Sequence, residues 1–72
     1  MNQYKPDEIL QFAIHIEENG KKFYLKMKDK FSQDQEINQL FTILADQEQQ
    51  HRDYFQELLS AIQDYNNLDQ YS

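Results

Sequence analysis

Hydrophobic side chains recur along the second half of the chain in alternating steps of four and three residues. Such steps bring side chains to one face of an α-helix and are typical of helices that pack in bundles. The pattern predicts one long helix from about residue 34 to about residue 65. Its heptad stripe consists of Ile37, Phe41, Leu44, Glu48, His51, Phe55, Leu58, Ile62 and Tyr65.

The first half of the chain carries the same pattern, and its heptad stripe consists of Leu10, Ala13, Glu17, Gly20, Tyr24, Met27 and Phe31. Ile9, Ile16 and Phe23 widen this stripe on one flank, as a helix in a bundle requires. Pro6 suits the first turn of a helix, so we expect a first helix from about residue 6 to about residue 31. Gly20 is unfavourable inside a helix, and close packing against another group would account for it.

The break between the two predicted helices falls at residues 29–34, where Ser32 or Asp34 can cap the second helix. So short a connection implies an antiparallel hairpin. Two helices cannot enclose two wide apolar stripes, so the hairpin should dimerise into a four-helix bundle. The expected fold class is therefore all-α, with residues 1–72 forming a single domain.

Composition limits the kinds of metal site and partner that the chain can have. The chain has no Cys, which excludes disulfides and Cys-ligated metal sites and suits a reducing cytoplasm. No apolar run approaches the ~20 residues that span a membrane, so we expect no membrane partner. A net charge of −6 argues against nucleic acid as a partner and favours metal cations.

Three polar side chains interrupt the apolar stripes. Glu48 and His51 lie three residues apart, so they point the same way from the second helix. Glu17 lies fourteen residues before Phe31, and Glu48 lies fourteen residues after Asp34, so the two carboxylates should face each other across the hairpin. An ionised Glu in an apolar face loses solvation that something must replace. The spacing predicts a metal site formed by Glu17, Glu48 and His51.

A two-fold axis perpendicular to the bundle at this level would bring the same three residues of a second copy to the same place. Four carboxylates and two imidazoles suit two ions such as iron or manganese, with Glu48 bridging and Glu17 and His51 terminal. In the simplest alternative, Glu48 and His51 form a hydrogen-bonded pair on a half-exposed helix face. Glu18 competes with Glu17 but lies off the stripe, so we expect it to be solvated, and we expect His15 to be exposed.

Residues 16–24 (IEENGKKFY) and 40–51 (LFTILADQEQQH) together resemble the ferritin-like superfamily, in particular its rubrerythrin branch and the half-length encapsulated ferritins. The resemblance covers roughly residues 9–62. It implies a di-iron centre with Glu17, Glu48 and His51 as ligands, and the oxidation of Fe(II) by oxygen or peroxide in iron handling or oxidative stress. The chain departs from rubrerythrins in lacking Cys for a second iron centre, and in having Gly20 where they place a further carboxylate.

The expected protein is thus a ferroxidase-type di-iron protein with two irons per homodimer, or a multiple of such dimers, with manganese or zinc as other possible occupants. It would lie in the cytoplasm, or inside a protein shell as the encapsulated ferritins imply. The alternative from another class is a structural or adaptor helical dimer whose site is empty or holds zinc. Metal content and oxidation of added Fe(II) separate the two.

Overall fold

A computed structural model describes residues 4–70 of the chain, with side chains described for residues 4–67. Helix α1 spans Pro6–Lys30 and helix α2 spans Gln35–Gln70, and within residues 4–70 there is no strand. The two helices pack against each other as a hairpin. The all-α hairpin predicted from the sequence is confirmed.

Local sequence accounts for both ends of α1. Pro6 stands in its first turn, and Asp7 and Glu8 place negative charge near the positive end of the helix. Lys28 and Lys30 place positive charge near the opposite end. All four charges therefore stabilise the helix that the heptad pattern predicts.

Two side chains stabilise the connection between the helices: Asp34 at its end and Asn38 in the first turn of α2. Asp34 Oδ1 accepts a hydrogen bond of 3.1 Å from the backbone N–H of Ile37, so Asp34, of the two predicted candidates, caps α2. Asn38 Nδ2 donates 2.9 Å to the backbone carbonyl of Lys28, which belongs to the last turn of α1. These bonds satisfy backbone groups that helix ends leave unpaired, and they fix how the two helices meet.

Helix α2 continues past the predicted end at Tyr65, through Asn66 and Asn67, to Gln70. Asparagine is a poor helix former but not a helix breaker, and the single Gly and Pro of the chain, Gly20 and Pro6, lie elsewhere. The helix therefore ends later than the predicted end at about residue 65. Residues 71–72 lie outside the described part of the chain.

The most buried side chains of the hairpin are not members of the predicted stripes. Ile14, Ala45 and Leu59 are buried, and each immediately follows a stripe residue. The stripe members His51, Phe31, Leu58 and Tyr65 are exposed, Tyr65 to 70%. The helices meet along one edge of each stripe and leave the rest facing outward, in line with the expectation that two helices cannot enclose both stripes.

The uncovered faces are extensively apolar. The hairpin measures 58 × 26 × 11 Å, so it forms a single layer and not the two packed layers of a closed domain. Large side chains are exposed on both helices: Ile9, Phe12, Ile16 and Phe23 of α1, and Leu40, Ile43, Tyr54, Leu58 and Tyr65 of α2. A soluble monomer rarely exposes so many neighbouring apolar groups, which mark an interaction surface.

Among the described residues, neither helix has a stretch both long enough and apolar enough to traverse a bilayer.

Candidate metal centre

The structure brings the three residues of the predicted site together. Glu17 projects from α1, and Glu48 and His51 project from α2, one turn apart. One ligand atom of each residue lies within 4.8 Å of the ligand atoms of the other two. The heights estimated from the sequence therefore agree with the geometry of the hairpin.

The cluster has a buried end and an open end. The Glu17 side chain is 17% exposed, whereas the His51 side chain is 59% exposed. His51 Nδ1 lies 3.5 Å from Glu17 Oε2, which is longer than an effective hydrogen bond. Glu17 Oε2 is itself buried and has no hydrogen-bond partner among the described residues. A buried carboxylate oxygen without a donor is costly, and a cation would offset that cost.

The two carboxyl groups influence each other directly. A hydrogen bond shared with Glu17 raises the pKa of Glu48 above its ordinary value; burial and the negative charge of Glu17 raise it further, and His51 lowers it. When both groups are ionised, neither can donate a hydrogen bond to the other. A proton on Glu48 or a bound cation relieves the repulsion between them.

Gly20 forms one wall of the cluster. It follows Glu17 by one helical turn, and an ideal Cβ built on it would stand 3.1 Å from Glu48 Oε2 and 3.2 Å from Glu48 Cδ. The carboxylate of Glu48 therefore lies against the bare backbone of α1. This contact is the close packing that the glycine led us to expect.

Apolar groups adjoin the cluster along the hairpin. Toward the connection, Tyr24 stacks on Phe41 with ring centroids 6.2 Å apart, and Phe41 stacks on Phe31 at 6.0 Å. In the other direction the buried Ile14 and Leu59 follow. Tyr24 thus packs against Phe41 of the opposite helix. Apolar side chains therefore lie on both sides of the cluster along the hairpin.

Glu18 points away from the cluster, as its position off the stripe predicts, but it is not freely solvated. Its Oε2 accepts a hydrogen bond of 3.3 Å from Arg52 Nε of α2, and its Oε1 lies 3.6 Å from His15 Nδ1. His15 is exposed, as expected. The expectation for Glu18 was wrong because the helices meet beside the stripe, where Arg52 can reach across.

A second polar link crosses the hairpin on the same side. Lys21 Nζ donates 2.7 Å to Gln49 Oε1, and Gln49 Nε2 donates 2.8 Å to Asp53 Oδ1. The sequence analysis did not predict these contacts. It could have done so from position alone, since Gln49 directly follows Glu48 and Lys21 follows Glu17 by one helical turn. They hold the two helices in register beside the cluster.

The donor set is suited to a divalent transition metal. Two carboxylates and one imidazole are ligands that iron, manganese and zinc accept. The buried, unpartnered oxygen of Glu17 and the close pair of carboxyls both fit a cation at this place. A single chain offers three ligand residues, and the exposed His51 leaves the cluster open toward the uncovered apolar face.

Comparison with known proteins identifies the family of the chain. The family model described as Rubrerythrin matches residues 8–71. No curated protein and no solved structure matches the chain significantly. Because the family match extends over nearly the whole chain, this two-helix protein belongs to the rubrerythrin family of the ferritin-like superfamily.

Proposed function

We propose that this protein is a di-iron protein whose metal site is shared between two copies, and that it oxidises Fe(II) with oxygen or peroxide. The observation that carries the proposal is the convergence of Glu17, Glu48 and His51 within 4.8 Å around a buried, unpartnered carboxylate oxygen. Membership of the rubrerythrin family supports iron as the metal.

A second copy is part of the proposal because one hairpin leaves the cluster incomplete. Three ligand residues do not saturate two metal ions, and the cluster opens toward faces that expose large apolar side chains. A two-fold axis perpendicular to the helices at the level of Glu17 brings a second cluster to the first. Each chain then contributes two carboxylates and one imidazole, the complement that ferritin-like di-iron bundles use.

The charges along α1 favour pairing with α1 of the second copy, in antiparallel orientation. Asp7 and Glu8 lie at one end of the helix, and Lys22, Lys26 and Lys30 lie toward the other. Glu8 and Lys26 are each nine residues from Glu17, so a two-fold axis there places Glu8 of one copy at the height of Lys26 of the other. Parallel pairing would instead place like charges together.

Within this centre each residue has a distinct task. We assign the bridging position to Glu48, and terminal positions to Glu17 and His51. A metal ion would compete with a proton for Glu48, because the neighbouring Glu17 raises the pKa of this carboxyl. Tyr24 and Phe41 place apolar surface on the side of the connection. Two ferrous ions held by Glu17, Glu48 and His51 would supply two electrons, which with two protons from solvent reduce one peroxide molecule to two water molecules.

Anaerobic titration with Fe(II), followed by air or peroxide, tests the proposal. We expect Fe(II) to bind at two ions per dimer, and oxidation to produce the near-ultraviolet absorption of oxo-bridged ferric iron. A protein that neither binds nor oxidises Fe(II) would be a structural or adaptor helical dimer instead. Binding of zinc with no oxidation of Fe(II) would reject the ferroxidase activity but keep the metal site.

A further inference from the structure

We propose that Gly20 is a positioning residue for Glu48: its missing side chain forms the seat in which the Glu48 carboxylate lies. On this proposal any larger residue at position 20 displaces the carboxylate from Glu17 and His51 and weakens metal binding. The inference rests on the proposed metal centre, and it adds a residue that is not itself a ligand.

The backbone does not require a glycine at this position. Gly20 lies in the interior of α1, and no glycine among the described residues has a positive φ. Alanine would adopt the same conformation and favour the helix more. The reason for glycine must therefore lie in the space where a side chain would stand.

That space is bounded by one side chain. The three atoms nearest to an ideal Cβ on Gly20 all belong to Glu48: Oε2 at 3.1 Å, Cδ at 3.2 Å and Cγ at 3.5 Å. The glycine thus accommodates a carboxylate and not the backbone of the opposite helix. A methyl group here would force the carboxylate to move by a few tenths of an ångström.

The direction of that movement affects the cluster. Gly20 and Glu17 lie one turn apart on the same face of α1, so the Glu48 carboxylate is confined between the Glu17 carboxylate and the bare backbone. A side chain at position 20 would push it toward Glu17, against charge repulsion, or out from between the helices. A shift of a few tenths of an ångström takes up most of the roughly 0.5 Å within which metal ligands must be held, so either displacement weakens the site.

A metal-free double-mutant cycle tests the contact itself. Thermal melting is compared for Gly20→Ala in the wild type and in Glu48→Ala, with Asn19→Ala, an exposed neighbour, as the control. We expect Gly20→Ala to raise the melting temperature of Glu48→Ala by about 4–8 °C, through helix propensity alone. In the wild-type background, the gain in melting temperature from Gly20→Ala should be less than half as large. Asn19→Ala should shift the melting temperature equally in both backgrounds. Equal gains in melting temperature for Gly20→Ala in the two backgrounds would show that Gly20 does not make room for the Glu48 carboxylate.

Calorimetric titration with Mn(II) tests the consequence. We expect Gly20→Ala to bind Mn(II) about tenfold more weakly than the wild type, and Asn19→Ala to bind it as the wild type does. A loss of less than threefold in Gly20→Ala would overturn the positioning role while leaving the metal centre intact. A wild type that binds neither Mn(II) nor Fe(II) would reject the proposed function, and the positioning role with it.

Discussion

At the scale of single residues, the neighbours Glu17 and Glu18 show how one position around a helix changes the role of a carboxylate. Glu17 is turned inward, and its Oε2 is buried without a hydrogen-bond partner among the described residues. Glu18 is turned sideways and pairs with Arg52 at 3.3 Å. The first carboxylate lacks a compensating charge, whereas the second already has one.

A matched pair of substitutions follows from this difference. Glu17→Gln should lose most of its bound metal, because it removes a charged ligand from the buried end of the cluster. Glu18→Gln makes the same chemical change one residue away and should retain wild-type metal content. Elemental analysis of the purified, folded variants measures both. Loss of metal in Glu18→Gln with retention in Glu17→Gln would show that the ligand assignment is displaced by one residue.

The second prediction at this scale concerns pH. The pKa of Glu48 is raised above its ordinary value of 4.5, so the folded protein binds this proton more tightly than the unfolded chain does. The metal-free protein should therefore gain stability from this group as pH falls from 7 toward 4.5, and lose it as pH rises through the folded-state pKa. Mn(II) affinity should change in the opposite direction, because metal and proton compete.

Denaturant unfolding of the metal-free protein at several pH values measures this dependence. Glu48→Gln cannot titrate and serves as the control, so the difference in unfolding free energy between it and the wild type isolates the contribution of Glu48. A difference that does not vary between pH 7 and 4.5 would contradict the interaction of Glu48 with Glu17.

At the scale of the helices, the sequence predicted both elements and the level of the site, but not which edge of each helix is buried. Heptad periodicity reflects every surface through which a helix packs, both within one chain and against other chains. The contact inside one hairpin uses only a part of that surface, which is why Ile14, Ala45 and Leu59 are buried one residue beyond the stripes. The Asp34 cap was predictable because it depends on local geometry, whereas the glycine predicted close packing at position 20 without identifying Glu48 as the partner.

The pair Glu18 and Arg52 was not predictable for the same reason. Whether two side chains meet across a hairpin depends on the rotation of each helix about its own axis, and a shift of one residue corresponds to roughly 100° at 3.6 residues per turn. The prediction that the carboxylates converge tolerates an error in helix rotation, since they need only lie at one height and on a broadly shared face. A specific ion pair at 3.3 Å does not tolerate it.

Two adjacent leucines of α2 test which surfaces are buried in solution. Leu59 is buried between the helices of one chain, while Leu58 is 37% exposed there and belongs to the uncovered face. Leu59→Ala should lower the unfolding free energy by about 2–4 kcal/mol. Leu58→Ala should have a comparable cost, because the second copy would cover it in the proposed dimer. Urea unfolding compares them, and a Leu58→Ala variant as stable as wild type would indicate that this face stays exposed.

At the scale of the whole molecule, the hairpin is a single layer 11 Å thick with apolar groups along its length. Such a layer lacks the enclosed core of a stable small domain, and a second copy is the simplest way to supply it. The segregation of acidic and basic residues along α1 further favours an antiparallel arrangement about the level of the metal site.

Cross-linking tests this arrangement directly, since the natural chain has no Cys. Ile16 lies next to Glu17 on the exposed apolar flank of α1, so in the proposed dimer Ile16→Cys stands close to its counterpart in the second copy. A short bis-maleimide should then couple the two copies efficiently, as packed helices lie about 8–10 Å apart. His15→Cys, adjacent but on the outer face, should react little. Equal yields from both variants, or a monomer in sedimentation, would contradict the arrangement.

The central claim is that the polar cluster exists to bind metal and not to hold the fold together. Melting of the wild type and Glu48→Leu, each with and without Mn(II), tests it most directly. Leucine fills the space of Glu48 and removes one carboxylate per chain, and replacing buried charge by apolar volume is often neutral or stabilising.

The metal-free Glu48→Leu protein should therefore melt no lower than the metal-free wild type. Mn(II) should raise the melting temperature of the wild type alone, because binding is linked to folding. A destabilised Glu48→Leu protein, together with a wild type whose melting is indifferent to Mn(II), would show instead that the cluster is a structural polar network.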